Sequence, residues 1–109
     1  MPTLREYLDD QDRSPFGRWL DSLGAPAALK VRTALARLED GNTSALKSVG
    51  NGVHEVRINF GPGYRVYLGV DGAELVILLG GSAKARQSMA IADAKKRWDD
   101  YTRRKRRSG

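Results

Sequence analysis

From residue 53 to residue 69 the chain largely alternates apolar and polar side chains on both sides of Gly61-Pro62-Gly63, and after Asp71-Gly72 a short apolar run, LVILL, follows. A period of two places successive side chains on opposite faces of a strand, which no helix accommodates. The pattern predicts strands over 53–60, 64–69 and 73–80. A three-residue loop would join the first two, and the Asp-Gly pair would form a two-residue hairpin turn between the last two. Three strands connected so closely make an antiparallel meander, and a chain of 109 residues has room for one core built around it.

The flanks read as helices. Ser14 and Pro15 are an N-cap and a first helical residue, Phe16, Trp19, Leu20 and Leu23 supply an apolar side, and Gly24 ends the helix. Pro26 opens a second helix with Ala28, Val31, Leu35 and Leu38 at helical spacing, closed by Gly41-Asn42. Residues 1–8 are an edge strand or an unpaired start, and NTSALKSVGNG is a loop. After Gly80-Gly81, with Ser82 as cap, a last helix carries Ile91, Ala94, Trp98 and Tyr101 on one face. The expected fold is α+β: a small antiparallel sheet with two N-terminal helices and a C-terminal helix, in one domain over 1–109. Residues 102–109 form a basic tail, and both tryptophans are expected in the core.

The formal charge is +6, and residues 95–107 carry eight bases against two acids, so the remainder of the chain is neutral. That patch reads as a footprint for a polyanion, nucleic acid before membrane, or as a solvated tail. No cysteine and one histidine remove disulfides, thiolate nucleophiles and the usual zinc clusters, so no metal or cofactor is expected. The acidic start, MPTLREYLDDQDRSP, lacks a leader pattern, and the longest apolar run, LVILL, is far short of a bilayer span. A cytoplasmic protein is expected.

With the three-residue loop, Phe60 pairs with Tyr64, Ile58 with Val66 and Val56 with Leu68, and these six share the core face. The opposite face then sets Asn59 across from Arg65 and Arg57 across from Tyr67, with Glu55 one step along the strand and Val76 and Leu78 beside them. Two neighbouring guanidiniums repel unless an anion or a carboxylate lies between them. Either this is a wet outer face, with Arg57 paired to Glu55 or Glu74, or it is an anion site. Lys84, Arg86 and Gln87 arrive there at a helix start preceded by glycines, which favours phosphate. Free histidine ionises near neutrality, which makes His54 a possible acid or base, although strand parity sets it on the core side.

The run LKSVGNGVHEVRINFGPGYRVYLGVDGAELVILLGGSAKARQSMAIADAKKRW resembles the RelE/ParE superfamily of type II toxin–antitoxin toxins, in particular the HigB-like addiction-module killer proteins. The matching marks are Glu55-x-Arg57, Tyr64-Arg65-Val66-Tyr67, the Leu-Leu-Gly-Gly strand end, and Lys84 with Gln87. The likeness spans roughly residues 13–101.

The resemblance implies a RelE-like fold and a ribosome-dependent mRNA interferase, in which the ribose 2′-OH attacks its own 3′-phosphate and expels the next 5′-oxygen. Such an endoribonuclease needs positive charge around the transition state, a proton for the leaving oxygen and a base, but no metal. By that likeness Arg57 and Arg65 clamp the scissile phosphate. Lys84, and behind it Lys47, bind adjacent phosphates or move a proton. Tyr67 stacks on a base or holds the nucleotide, Asn59 and Arg86 belong to the substrate-binding face, and Gln87 is a family position. The implied partners are mRNA on the ribosome and a cognate antitoxin, a small helix-turn-helix protein. Two other readings stay open: a ParE-like gyrase poison that acts by binding, and a non-catalytic basic nucleic-acid-binding module.

Overall fold

The computed structural model describes residues 2–108. Its elements are β1 (Thr3–Glu6), α1 (Pro15–Asp21), α2 (Ala25–Glu39), β2 (Lys47–Gly50), β3 (Val53–Ile58), β4 (Tyr64–Asp71), β5 (Leu75–Ala83), a 3-10 turn (Lys84–Arg86) and α3 (Gln87–Ser108). The class is α+β, with three helices and a five-stranded mixed sheet in the order β1-β5-β4-β3-β2. β3, β4 and β5 form the antiparallel meander that the period-two run predicts. The sheet as a whole is not antiparallel, because β1 runs parallel to β5, from Thr3 beside Leu75 to Glu6 beside Leu78. β2 occupies a segment whose composition reads as loop. It has four residues, and a bulge between Ser48 and Gly50 disrupts its short ladder to β3.

Both hairpins differ in register from the simplest reading. The β3–β4 ladder ends at Ile58 beside Tyr64, leaving residues 59–63 as the connection. Pro62 has no amide to give a ladder, and Gly61 and Gly63 take φ of +56° and +82°. The Gly63 amide closes the turn on the Phe60 carbonyl at 3.0 Å. An even shift keeps every side chain on its expected face but puts Arg57 directly across from Arg65, instead of across from Tyr67. The β4–β5 turn takes three residues, pairing Asp71 with Leu75, so the face assignment of β5 inverts as far as Leu79; a bulge at Tyr67–Leu68 then shifts the register and sets Gly80 and Ser82 beside Tyr67 and Arg65. Val76 and Leu78 therefore join the cluster of Val56, Ile58, Val66 and Leu68, away from the arginines.

Each face of the sheet has its own core. On one face α1 and α2 deliver Phe16, Val31, Leu35 and Leu38. Ser14 accepts the Gly17 amide at 2.9 Å as the cap of α1, as its position before Pro15 suggests. On the other face Ala94 of α3 packs on Tyr7, Val53, Tyr67, Ile77 and Leu79. The second face is thus only partly polar. Ser82 does not cap the last helix: it lies buried within β5, where its hydroxyl meets that of Tyr67 at 3.1 Å. Residues 102–108 are the closing turns of α3, not a loose tail, and Gly109 lies outside the described residues. Among the described residues no helix is long and apolar enough to cross a membrane.

Glycines seat the two tryptophans. Trp19 lies over Gly81 and Trp98 over Gly69, where an added Cβ would stand 2.2 and 2.3 Å from a ring carbon. The Gly69 backbone is held between β3 and β5 and has little room to move. Gly69→Ala is expected to lower stability by about 2 kcal/mol through overpacking, read as a lower urea midpoint; an unchanged midpoint would show that the Trp98 ring moves aside freely.

Polar clamps fasten the far end of α3. Tyr7 donates to Asp100 at 2.6 Å, and Tyr101 donates to Asp71 at 2.7 Å, which also accepts Lys105 at 2.6 Å. Arg104 donates to the Leu8 carbonyl at 2.7 Å and pairs with Asp100. Burial first, then the hydrogen bond to a carboxylate, pushes both phenols up from 10.0 to about 12. The folded chain holds these protons where the unfolded chain releases them, so their contribution is complete below pH 10.0 and is lost as pH rises through about 12. Thermal melts across that interval are expected to fall steeply for the wild type and less steeply for the Tyr7→Phe/Tyr101→Phe double variant. Equal slopes would contradict the assignment.

Candidate functional site

Strand register builds the site in two rows. Arg57, Arg65 and Ser82 lie side by side across β3, β4 and β5, and the next row along runs Lys47, Glu55, Tyr67 and Gly80 across β2 to β5. α3 buries part of this face. Beside the β3–β4 turn it opens into a hollow of about 160 Å³ lined by Arg57, Asn59, Tyr64, Arg65 and Lys84, with no carboxylate in its wall. The Lys84 amide donates to the Gly63 carbonyl at 2.9 Å, which ties the start of the last helical segment to that turn.

Glu55 explains how two arginines tolerate facing positions. Its side chain is 1% exposed. One oxygen accepts Arg57 Nε at 3.1 Å; the other accepts Gln87 Nε2 at 3.2 Å and stands 3.6 Å from Arg65 Nε. A single carboxylate between two guanidiniums relieves their repulsion but leaves a net positive charge, and Lys84 adds to it. At 3.6 Å the Arg65 contact is an ion pair without a hydrogen bond. The Arg65 side chain is 9% exposed, and its Nε is buried with no hydrogen-bond partner. Arg57 differs: Glu55 holds its Nε, while its side chain as a whole is 51% exposed.

The structure brings together Arg57, Arg65, Asn59 and Lys84, and it gives Gln87 a contact through Glu55. Lys47 sits across from Glu55 at the edge of the sheet, exposed. Arg86 is exposed outside the lining of the hollow. Stacking of Tyr67 on a base is not possible as placed, because the residue is 0% exposed and lies under α3. Burial first, with the nearby Glu55 adding to it, pushes its phenol up against the opposing bond from Ser82, so it is a neutral hydroxyl in the floor. His54 alternates with Glu55 and lies on the face of α1 and α2, so the sheet separates it from the arginines and an acid–base role in the hollow is removed. In the sequence Glu55 stands as a possible partner of Arg57 and as part of the Glu55-x-Arg57 mark; its burial among Arg57, Arg65 and Gln87 depends on the observed register.

Four of the eight bases in residues 95–107 are committed inside the chain. Arg97 donates to the Leu79 carbonyl at 3.1 Å, Arg103 pairs with Asp99 at 3.1 Å, and Arg104 and Lys105 hold the clamps on Asp100 and Asp71. Arg106 and Arg107 remain exposed at the end of α3.

No family model matches the chain. Over 81 residues it is 43% identical to a Haemophilus influenzae protein described as an uncharacterized protein, a match that covers 73% of this chain and 82% of that one. Identity of this extent is shared ancestry: the chain belongs to the same family as that Haemophilus influenzae protein.

Proposed function

We propose that the protein is the toxin of a type II toxin–antitoxin module, with a RelE-like arrangement of helices and sheet, and that it is an endoribonuclease cutting mRNA on the ribosome in the cytoplasm. One observation carries this reading: Arg65 is nearly buried, its Nε makes no hydrogen bond and only a 3.6 Å ion pair to Glu55, and it stands in the wall of a hollow that also holds Arg57 and Lys84. A buried guanidinium nitrogen left without an acceptor is costly, and such groups in native proteins call for a partner or a function. A phosphate is matched to the fork of an arginine and to the surplus positive charge.

The chemistry that suits this lining is in-line displacement. The ribose 2′-OH forms a bond to its own 3′-phosphorus while the bond to the next 5′-oxygen breaks, giving a 2′,3′-cyclic phosphate and a 5′-hydroxyl. Arg57 and Arg65 hold the non-bridging oxygens as charge develops, and their fixed positions on adjacent strands spare the reorganisation that water would need. Lys84, exposed at the rim, faces the leaving oxygen and supplies charge or a proton. A small helix-turn-helix antitoxin that covers the hollow would silence it.

The chemistry of the RNA ends tests the proposal. After brief induction in bacterial cells, new 5′ ends should ligate only after phosphorylation, and should be absent with Arg65→Ala. Intact RNA with DNA cleaved on gyrase would instead indicate a poison that acts by binding. Intact RNA and DNA together would leave a basic binding module.

A further inference from the structure

Arg57 borders more than the site. It also lines a hollow of about 360 Å³ with Leu29, Lys30, Thr33, Arg37 and Asn59, and a second of about 190 Å³ with Arg37, Asn42 and Ser44. No carboxylate lines either one. Lys30 and Arg37 lie two turns apart on the same exposed side of α2, about 10 Å along its axis. Thr33, Asn42 and Ser44 add neutral hydrogen-bonding groups between and beyond them. Lys30 also lies 5.8 Å from the centre of the Phe60 ring, which fixes its stem toward the β3–β4 turn.

A single phosphate group needs only the small hollow at Arg65. The larger and polar remainder, lined by cations and by no acid, extends away from it along α2 with Arg57 as the shared wall. We infer that this strip is a binding track for a single-stranded polynucleotide, with Arg57 at the scissile phosphate and Lys30 and Arg37 on phosphates flanking it on one side. The inference rests on the proposed function for the position of the scissile phosphate, and it extends that reading to substrate length. Spaced cations that follow a backbone bind without regard to base, so the track contributes affinity and register but little sequence preference.

Fluorescence anisotropy with labelled all-2′-O-methyl RNA, which lacks the attacking hydroxyl, tests the inference on the full chain. The hexanucleotide is expected to bind about tenfold more tightly than the dinucleotide. Lys30→Ala/Arg37→Ala should remove that advantage and reduce the slope of log affinity against log salt by about 1.4, while leaving dinucleotide binding unchanged. Both side chains are exposed, so the variant is expected to fold, and a matching thermal melt checks this. Arg106→Ala/Arg107→Ala, at the far end of α3, is the charge-matched control and should keep the hexanucleotide advantage.

Equal affinity for the two lengths, an unchanged slope, or displacement of the hexanucleotide by a poly-glutamate peptide of equal charge as readily as by unlabelled RNA would overturn the track. If Arg57→Ala still weakens the dinucleotide in that case, the reading of the site stands without the track. If Arg57→Ala changes neither length, both fall.

Discussion

Replacing Arg65 by alanine is expected to lower the rate of RNA cleavage by on the order of 100-fold or more. The residue is the most enclosed cation of the site, and its Nε has an ion pair to Glu55 at 3.6 Å but no hydrogen bond. A donor fixed on a strand acts on developing charge without reorganising, which is why its loss falls on the catalytic rate more than on substrate affinity. Arg65→Lys keeps the charge but loses the planar fork, so a large loss is expected there too, with a smaller structural disturbance than alanine causes. Circular dichroism and a urea titration of both variants separate chemistry from folding. Full cleavage activity in a well-folded Arg65→Lys variant would show that charge alone is required.

The second large effect concerns stability. Glu55 is buried between Arg57, Arg65 and Gln87, and Glu55→Ala leaves one enclosed guanidinium facing another with nothing between them. Removing one member of such a buried group is expected to cost about 3–5 kcal/mol, a large share of the roughly 5–15 kcal/mol that holds a domain together. The mechanism predicts a specific rescue. Sulfate or phosphate should raise the melting temperature of Glu55→Ala well beyond its effect on the wild type, because the anion takes the place of the carboxylate. A second change, Arg65→Met, should recover part of the loss by removing the stranded charge. An equal anion effect on both proteins would mean that Glu55 does not neutralise this pair.

The parts of the fold that repeat locally were legible in the sequence. Alternation marked β3 and β4, the apolar run after Asp71-Gly72 marked β5, Ser14-Pro15 marked α1, and the spacing of Val31, Leu35 and Leu38 marked the buried side of α2. β1, which the sequence offers as an edge strand or an unpaired start, is an edge strand; β2, four residues with a bulge, lies in a segment that reads as loop and carries too little pattern of its own. The site was legible by type and misaligned by register. Gly61-Pro62-Gly63 signals a turn, but the length of that turn depends on which residue last finds a partner, and this put Arg57 beside Arg65. The Asp71-Gly72 pair favours a two-residue turn, and the observed three-residue turn moves Ile77 and Leu79, not Val76 and Leu78, to the face of Tyr67. The C-terminal bases showed the limit of counting charge. Arg104 and Lys105 are held by Asp100 and Asp71, which composition alone does not reveal.

The most direct measurement is the position of new RNA 5′ ends relative to reading frames, mapped minutes after induction with and without a block on translation initiation. The account predicts 5′-hydroxyl ends at a fixed place within translated codons, lost when initiation is blocked and lost with Arg65→Ala. Cuts that persist without translation would contradict action on the ribosome, and growth arrest with intact transcripts would contradict the phosphate clamp as a nuclease site.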